Sequence, residues 1–488
     1  MSQNSSKSNL SAFFTLTIVF FFWGFVAASN DILIPVFKDK LHISQVQSQM
    51  ISFAFYVAYT VGAIIYFFIS KAVGGDILNK IGYKNGIALG LVISTLGALL
   101  FYPAAMSASF PLLISGLFVI GLGYALQQTA ANPLAIAMGD PKTGAQRLSM
   151  AGGINNFGTT IGPVLVSLAI FGTVSTSKVV QEPSISSVKT PYLIIGALFL
   201  LVAVMFKFSK LPNKIGAAPG EDAVANASGE PDRPSVFNYT QLTLGMVAIF
   251  LYVGVEVSTA SNLPAYMQEK LHVATGNIAP FVSLYWASLM IGRWTASVGA
   301  FNISDTGKKV LRFIMPYIAF CVFLLINYFV GRDVTPFYIY AAVIVVMIIG
   351  DLLSKGNPAR QLFIFSTTAI IALFIGMLTH GMVSAFAFIS VGLFCSTLWP
   401  CIFTLAVSGL GKHTSEGSSF LIMMIMGGGV ISLLQGYLAA DNRLGIQWSY
   451  LVGVGCFLYL AFYALKALNI LKSQGIDFDK AEVVRGGH

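Results

Sequence analysis

Residues 12–37, AFFTLTIVFFFWGFVAASNDILIPVF, decide the fold class of this chain. The stretch is long enough to cross a bilayer as one helix, which takes about 20 predominantly apolar residues. Its one charged residue is Asp31, which follows Asn30. A charged side chain inside a membrane is costly and usually faces a cavity or a partner, so Asp31 is a candidate functional residue. The alternative is that Asp31 lies at the water interface and merely ends the helix.

The composition indicates an all-α polytopic membrane protein. The chain has 488 residues, of which 56% are hydrophobic and only 10% are charged. A soluble protein could not bury that much apolar surface. Apolar runs separated by short polar turns predict about 14 transmembrane helices, at 12–37, 47–72, 85–106, 111–138, 147–173, 191–208, 241–268, 279–301, 309–331, 336–353, 361–379, 382–409, 417–440 and 446–471.

A polar stretch divides these runs into two halves. Residues 209–240 are rich in proline and acidic side chains, and their low hydrophobicity cannot support a packed core. We therefore predict an N-terminal six-helix half (1–208), a cytoplasmic linker (209–240), a C-terminal half (241–472) and a cytoplasmic tail (473–488). The C-terminal half would contain six core helices and an extra helical pair inserted within 309–379.

Basic residues predict the orientation. Most of the 28 lysines and arginines fall in turns on one side of the predicted membrane. The positive-inside rule then places both termini in the cytoplasm, in the cell inner (plasma) membrane. This distribution explains the net charge of +9 without nucleic acid as a partner.

The residue types that carry enzyme chemistry are sparse. The four cysteines lie in apolar runs, where thiols behave as small hydrophobes, so we expect no disulfide and no metal site. The five histidines fall in predicted loops or at the chain end, so no cluster of nucleophile and base is visible. We therefore predict no enzyme activity and no cofactor.

The two halves show signs of internal duplication. Trp23-Gly24 in the first run has a counterpart in Val253-Gly254 of the seventh, and the asparagine and proline that follow each pair recur as well. Two repeated halves around a linker are typical of transporters, whose sites lie where the repeats meet.

Amide side chains cluster on a few spanning segments, some beside aromatic rings. Donors and acceptors next to rings suit a sugar, whose hydroxyls need hydrogen bonds and whose C–H faces pack on rings. The alternative is that the amides only bridge helices, at about 0.6 kcal/mol each. The candidate substrate-binding residues are Asn30, Gln127, Gln128, Asn132, Asn155, Asn156, Asn262 and Trp399.

Two carboxylates are candidates for coupling transport to a cation, Asp31 and Glu256. A carboxyl group in a low-dielectric cavity can bind and release a proton, and it can also help to ligate sodium. Arg293 is a possible countercharge for one of them. Equally, it could only anchor its own helix near the cytoplasm.

Several segments resemble known transporters. Residues 75–84, GDILNKIGYK, resemble the loop signature of the major facilitator superfamily, with Asn79 and Lys80 in place of its Asp-Arg pair. Further segments are similar to the fucose–galactose–glucose:proton symporter family: NDILIP (30–35), QTAANP (128–133), NNFG (155–158), FLYVG (250–254), IFTL (402–405) and GSSFLIM (417–423).

The resemblance implies the major facilitator fold and roles for particular residues. Asp31 matches an aspartate implicated in proton coupling, whereas Gln128 stands where the fucose symporter has a second acid. Asn155 matches a substrate amide, Trp399 an aromatic residue of the sugar site, and Gly152 replaces a glutamine that typically binds substrate. Gln128 and Glu256 are similar to the glucose/galactose branch, some of whose members use sodium.

Two hypotheses follow for function. The first is a secondary active importer of a monosaccharide of the glucose/galactose or fucose type, coupled to a proton or sodium by alternating access. The second is a facilitator-type exporter of drugs or metabolites that uses the same acids for antiport. In either case we expect a monomer in the lipid bilayer.

Overall fold

The protein is an all-α molecule in a computed structural model that describes residues 12–26, 45–74, 77–139, 143–171, 186–209, 211–213, 233–273, 278–301 and 303–479. Within these ranges the secondary structure is helix and turn, without a β-strand. The N-terminal half contains α1 (Ala12–Val26), α2 (Gln45–Ala72), α3 (Tyr83–Met106), α4 (Phe110–Ala137), α5 (Gly144–Phe171) and α6 (Ser186–Phe208). One helical turn, Ile77–Ile81, precedes α3.

The C-terminal half contains α7 (Thr240–Leu271), α8 (Ala279–Ser297), α9 (Asp305–Phe329), α10 (Thr335–Ser354), α11 (Pro358–Leu378), α12 (Gly381–Val407), α13 (Gly411–Leu438) and α14 (Gly445–Ser473). Ten helical segments of the described chain are long and apolar enough to cross a membrane. The predicted count of about 14 spans stays a prediction.

Helices pack in the same order in both halves. In the N-terminal half α3 packs against α4 and α6, and in the C-terminal half α11 packs against α12 and α14. The remaining two C-terminal helices, α9 and α10, follow α8 and have no counterpart among the described helices of the N-terminal half. Related halves would produce this repeated packing.

Glycines bring equivalent helices into close contact. A Cβ atom at Gly24 of α1 would overlap the carbonyl oxygen of Asn155 in α5. In the C-terminal half, a Cβ atom at Gly427 of α13 would overlap the carbonyl oxygen of Phe250 in α7. Gly158 of α5 meets the backbone of α1 in the same way, at the Phe21 oxygen. Gly158 and Gly427 are therefore packing sites, as expected for small residues in membrane helices.

The two halves contact each other mainly through α5 with α8 and through α13 with α2 and α4. Hydrogen bonds join the two halves at several separate positions. Thr60 of α2 donates to the Met423 oxygen at 3.4 Å, and Trp294 of α8 donates to the Gly153 oxygen of α5 at 3.2 Å. At the end of the molecule that carries the α2–α3 and α12–α13 turns, the hydroxyls of Tyr83 and Ser415 are hydrogen-bonded.

Candidate substrate and coupling site

The first acid predicted from the sequence, Asp31, lies outside the described residues, as does Asn30. Their roles therefore stay predictions. Among the described residues, no group of three or more histidine, cysteine, aspartate or glutamate side chains could hold a metal ion.

Gln127 is fully buried in the N-terminal half. Its Oε1 accepts a hydrogen bond from Trp23 Nε1 of α1 at 2.8 Å, and its Nε2 donates to Ser94 Oγ of α3 at 3.0 Å. The amide thus ties α1, α3 and α4 together with both ends paired. This geometry favours the helix-bridging alternative for Gln127.

Gln128 differs from its neighbour because it is only half-buried. Its Nε2 donates to the hydroxyl of Tyr59 in α2 at 3.0 Å. One turn further along α4, Asn132 is 2% exposed, and its Nδ2 has no hydrogen-bond partner within the described structure. A buried amide donor without a partner is costly, so Asn132 is a good candidate to donate to a ligand.

The adjacent residues Asn155 and Asn156 of α5 make different connections. Asn155 Nδ2 donates to the Phe20 oxygen of α1 at 2.9 Å, which holds two helices of the same half together. Asn156 Oδ1 accepts from Arg293 Nη1 of α8 at 3.0 Å, which joins the two halves. Within the described structure, Asn156 is therefore the member of this pair whose side chain bonds to the opposite half.

Arg293 connects three backbone or side-chain acceptors. Its Nε donates to the Ser396 oxygen of α12 at 2.9 Å, and its Nη1 contacts the Gly152 oxygen of α5 at 3.4 Å as well as Asn156. Gly152 leaves room for this side chain, since a Cβ atom there would lie 3.2 Å from Arg293 Cδ. Besides the two predicted roles, countercharge and anchor, Arg293 thus has a third one as a link between the halves.

The Ser396 oxygen is available because of the proline that follows it. α12 is interrupted at Ser396 and Thr397, and Pro400 lies four residues after Ser396. Proline has no N–H to donate to the carbonyl four residues earlier, so that carbonyl must find another donor. Arg293 supplies it.

Glu256 lies half-buried in α7, and its hydrogen bonds come from residues of its own half. Its Oε2 accepts a hydrogen bond from the hydroxyl of Tyr252, one turn earlier, and its backbone oxygen accepts from the hydroxyl of Tyr285 in α8 at 2.8 Å. Arg293 is not ion-paired with Glu256, although its positive charge attracts the carboxylate. The i, i+4 spacing of Tyr252 and Glu256 is a sequence signal for this contact, which was not predicted.

The other C-terminal candidates are Trp399 and Asn262. The Trp399 ring lies 6.3 Å from that of Tyr252 and 6.0 Å from that of Phe403, so it belongs to the aromatic group beside Glu256. Asn262 Nδ2 donates to the Ser258 oxygen of its own helix at 2.8 Å. Asn262 is thus separate from the polar residues that join the halves.

Comparison with known proteins identifies the family. Residues 12–350 match the Major Facilitator Superfamily. The chain belongs to the major facilitator superfamily. It is 32% identical over 466 residues to a protein named glucose/galactose transporter from Brucella abortus biovar 1 (strain 9-941), covering 95% of this chain and 96% of the relative.

Two further comparisons support the predicted branch and fold. The L-fucose-proton symporter of Escherichia coli (strain K12) is 28% identical, with 94% of this chain and 93% of the relative covered. A crystal structure of the E. coli fucose:proton symporter superposes with a TM-score of 0.69 at 26% identity, over 94% of this chain and 99% of the other. The predicted resemblance to the fucose–galactose–glucose:proton symporter family and the predicted major facilitator fold are therefore confirmed.

Proposed function

We propose that this superfamily member imports a monosaccharide of the glucose/galactose or fucose type together with a cation, by alternating access. The observation that carries the proposal is the match, over 95% of this chain, to a protein named glucose/galactose transporter. The arrangement of polar residues agrees with it, because Asn156 of α5 is hydrogen-bonded across the boundary between the halves to Arg293 of α8. Transporters of this kind bind substrate at such a boundary.

Substrate binding in this proposal uses the side chains that the fold leaves partly open or unpaired. Among the described residues, the side-chain donor of Asn132 has no partner, and Gln128 and Asn156 have side-chain atoms beyond the hydrogen bonds given above. Trp399 supplies an aromatic face in the C-terminal half. A sugar between these groups would contact both halves and could therefore bias their relative position.

Coupling in this proposal rests on Asp31 and Glu256. A proton is the cation named for the E. coli relative, and sodium is the alternative from the sequence. Arg293 links Asn156 to α12, so a change of charge at Glu256 would act on a residue that joins the halves. The membrane arrangement proposed with this mechanism is a monomer in the inner membrane with both termini cytoplasmic.

The extra helical pair belongs to the same proposal. Since α11 packs like α3, we assign the inserted pair to α9 and α10, which lie within residues 305–354. The six remaining C-terminal helices then match the six of the N-terminal half.

Uptake into proteoliposomes tests this function. Purified protein would be offered a panel of hexoses, deoxyhexoses and pentoses, with an inward proton gradient and an inward sodium gradient imposed in separate experiments. We expect concentrative uptake of one or a few monosaccharides with one of the two gradients. Absence of sugar uptake, together with drug sensitivity in cells that lack the protein, would instead support the exporter hypothesis.

A further inference from the structure

An ion pair joins α9 to α10, and a hydrogen bond joins α10 to α11 of the same half. Arg312 Nε of α9 lies 3.5 Å from Asp351 Oδ2 of α10, and Asp351 is 3% exposed. Asp351 Oδ1 also accepts a hydrogen bond from Gln361 Nε2 of α11 at 3.1 Å. Charges buried in this way hold their elements in one arrangement, because separating them would leave an unpaired charge inside the protein.

The turn after α10 has a defined shape. Lys355 and Gly356 both have positive φ, at 53° and 74°. Asn357 caps α11, with its Oδ1 accepting from the amides of Ala359 at 3.0 Å and Arg360 at 3.1 Å. The turn therefore presents the Gly356 carbonyl in a fixed direction.

This turn contacts the other half of the molecule. Gln146, in the first turn of α5, donates from Nε2 to the Gly356 oxygen at 3.0 Å. Its side chain lies between Gly356 and Gly299, where a Cβ atom would come within 3.1 Å of Gln146 Nε2 and 2.8 Å of Gln146 Cγ, respectively. Gln146 is only 7% exposed, so the contact is enclosed.

The segment after α14 binds the same turn. Asp479 Oδ1 accepts from Asn357 Nδ2 at 2.9 Å and from Arg360 Nη2 at 3.0 Å, and Lys472 Nζ lies 3.7 Å from Asp479 Oδ2. One continuous series of contacts thus runs from the C-terminal segment, through the α10–α11 turn, to the N-terminal half.

We propose that this series, Asp479–Asn357–Gly356–Gln146, is a latch that stabilises the conformation in which the halves are closed at this end. The α9–α10 pair and the C-terminal segment would hold the turn in position, and Gln146 would release it whenever the halves separate here. The latch thereby sets the population of the closed state, independently of which sugar or cation is bound.

Distance measurements between the halves test the latch. Spin labels would be attached at Val73→Cys, after α2, and Ile303→Cys, after α8, in full-length protein with Cys321→Ala; all three positions are exposed. Without substitutions in the latch, we expect one predominant short distance between the two labels. Gln146→Met keeps the side-chain length but removes the donor, and Asp479→Asn removes the charge that binds Arg360. Gln146→Met should increase the long-distance fraction roughly threefold to tenfold, as the loss of one hydrogen bond predicts. Asp479→Asn should increase it up to about fivefold, as the loss of a partly exposed ion pair predicts.

A neighbouring acid provides a matched control. Asp477 lies 3.9 Å from Lys472 and accepts a hydrogen bond from the Asp479 amide, which an asparagine could also accept. Asp477→Asn should therefore leave the distances unchanged. In the double variant, the free-energy effects of Gln146→Met and Asp479→Asn on the long-distance fraction should sum to less than the two single effects, because both interrupt one series of contacts. Equal effects of the two aspartate variants, or strict additivity, would overturn the latch, and neither outcome depends on transport.

Discussion

At the scale of single residues, two neighbouring glutamines of α4 lie in different environments. Gln127 and Gln128 are adjacent and chemically identical, yet one is enclosed by Trp23 and Ser94 whereas the other reaches Tyr59 from a half-buried position. A one-residue step on a helix turns the side chain by about 100°, so the two amides face different helices. Only tertiary packing decides which amide is structural.

This difference predicts opposite effects for the two glutamines. Gln127→Leu leaves the buried Trp23 N–H and the Ser94 hydroxyl without their partner, which should lower the free energy of unfolding by about 1–3 kcal/mol. Gln128→Leu removes a half-buried amide that is a candidate substrate ligand, so it should spare stability and reduce sugar affinity. Thermal unfolding in detergent and the KM for uptake measure the two effects. Finding the larger stability loss in Gln128→Leu would contradict the assignment.

At the scale of helices, many boundaries followed from the sequence. The apolar runs 85–106, 111–138 and 336–353 agree within two residues with α3, α4 and α10. An apolar run stops where the chain reaches water, and there the helix ends too. The interruption of α12 at Ser396 was not predicted, although Pro400 is its cause, nor was the use of the freed carbonyl by Arg293.

Close packing of α1 on α5 predicts that Gly24 does not tolerate a side chain. In Gly24→Ala the new methyl group would overlap the Asn155 oxygen, so the helices must move apart at a cost of about 1–3 kcal/mol or more. Gly455→Ala in α14 is the matched control, because nothing lies within 4 Å of its Cβ position. In thermal unfolding, Gly24→Ala should have a clearly lower melting temperature than Gly455→Ala. Equal melting temperatures would argue against the α1–α5 contact.

The binding of the C-terminal segment to the α10–α11 turn through Asp479 should depend on pH. The hydrogen bond from Asn357, together with Arg360 and Lys472, lowers the pKa of Asp479 below its usual value of 3.8. A carboxyl group with a lowered pKa stabilises the bound state above its unfolded pKa, and that contribution is lost as pH falls through the lowered value. A spin label at Ser473→Cys should therefore keep its mobility from pH 7 to about pH 4 and become mobile only below that. Release between pH 7 and pH 5 would contradict this account.

At the scale of the whole molecule, the fold class and the family were predictable, and the arrangement of the halves was not. Composition, repeated motifs and helix patterning identified a two-half membrane transporter, because these signals are local. The contacts of Arg293 and Gln146 with the opposite half join residues more than a hundred positions apart. Those contacts arise only when α5, α8 and the α10–α11 turn pack together.

We propose that this protein uses a cation gradient to accumulate a monosaccharide, with Asp31 as the coupling residue. The most direct measurement compares concentrative uptake with counterflow exchange in proteoliposomes for Asp31→Asn. Asp441→Asn, in the exposed turn after α13, is the matched control. We expect the wild type and Asp441→Asn to accumulate sugar, and Asp31→Asn to lose accumulation while retaining counterflow. Accumulation by Asp31→Asn at the wild-type level would contradict the account.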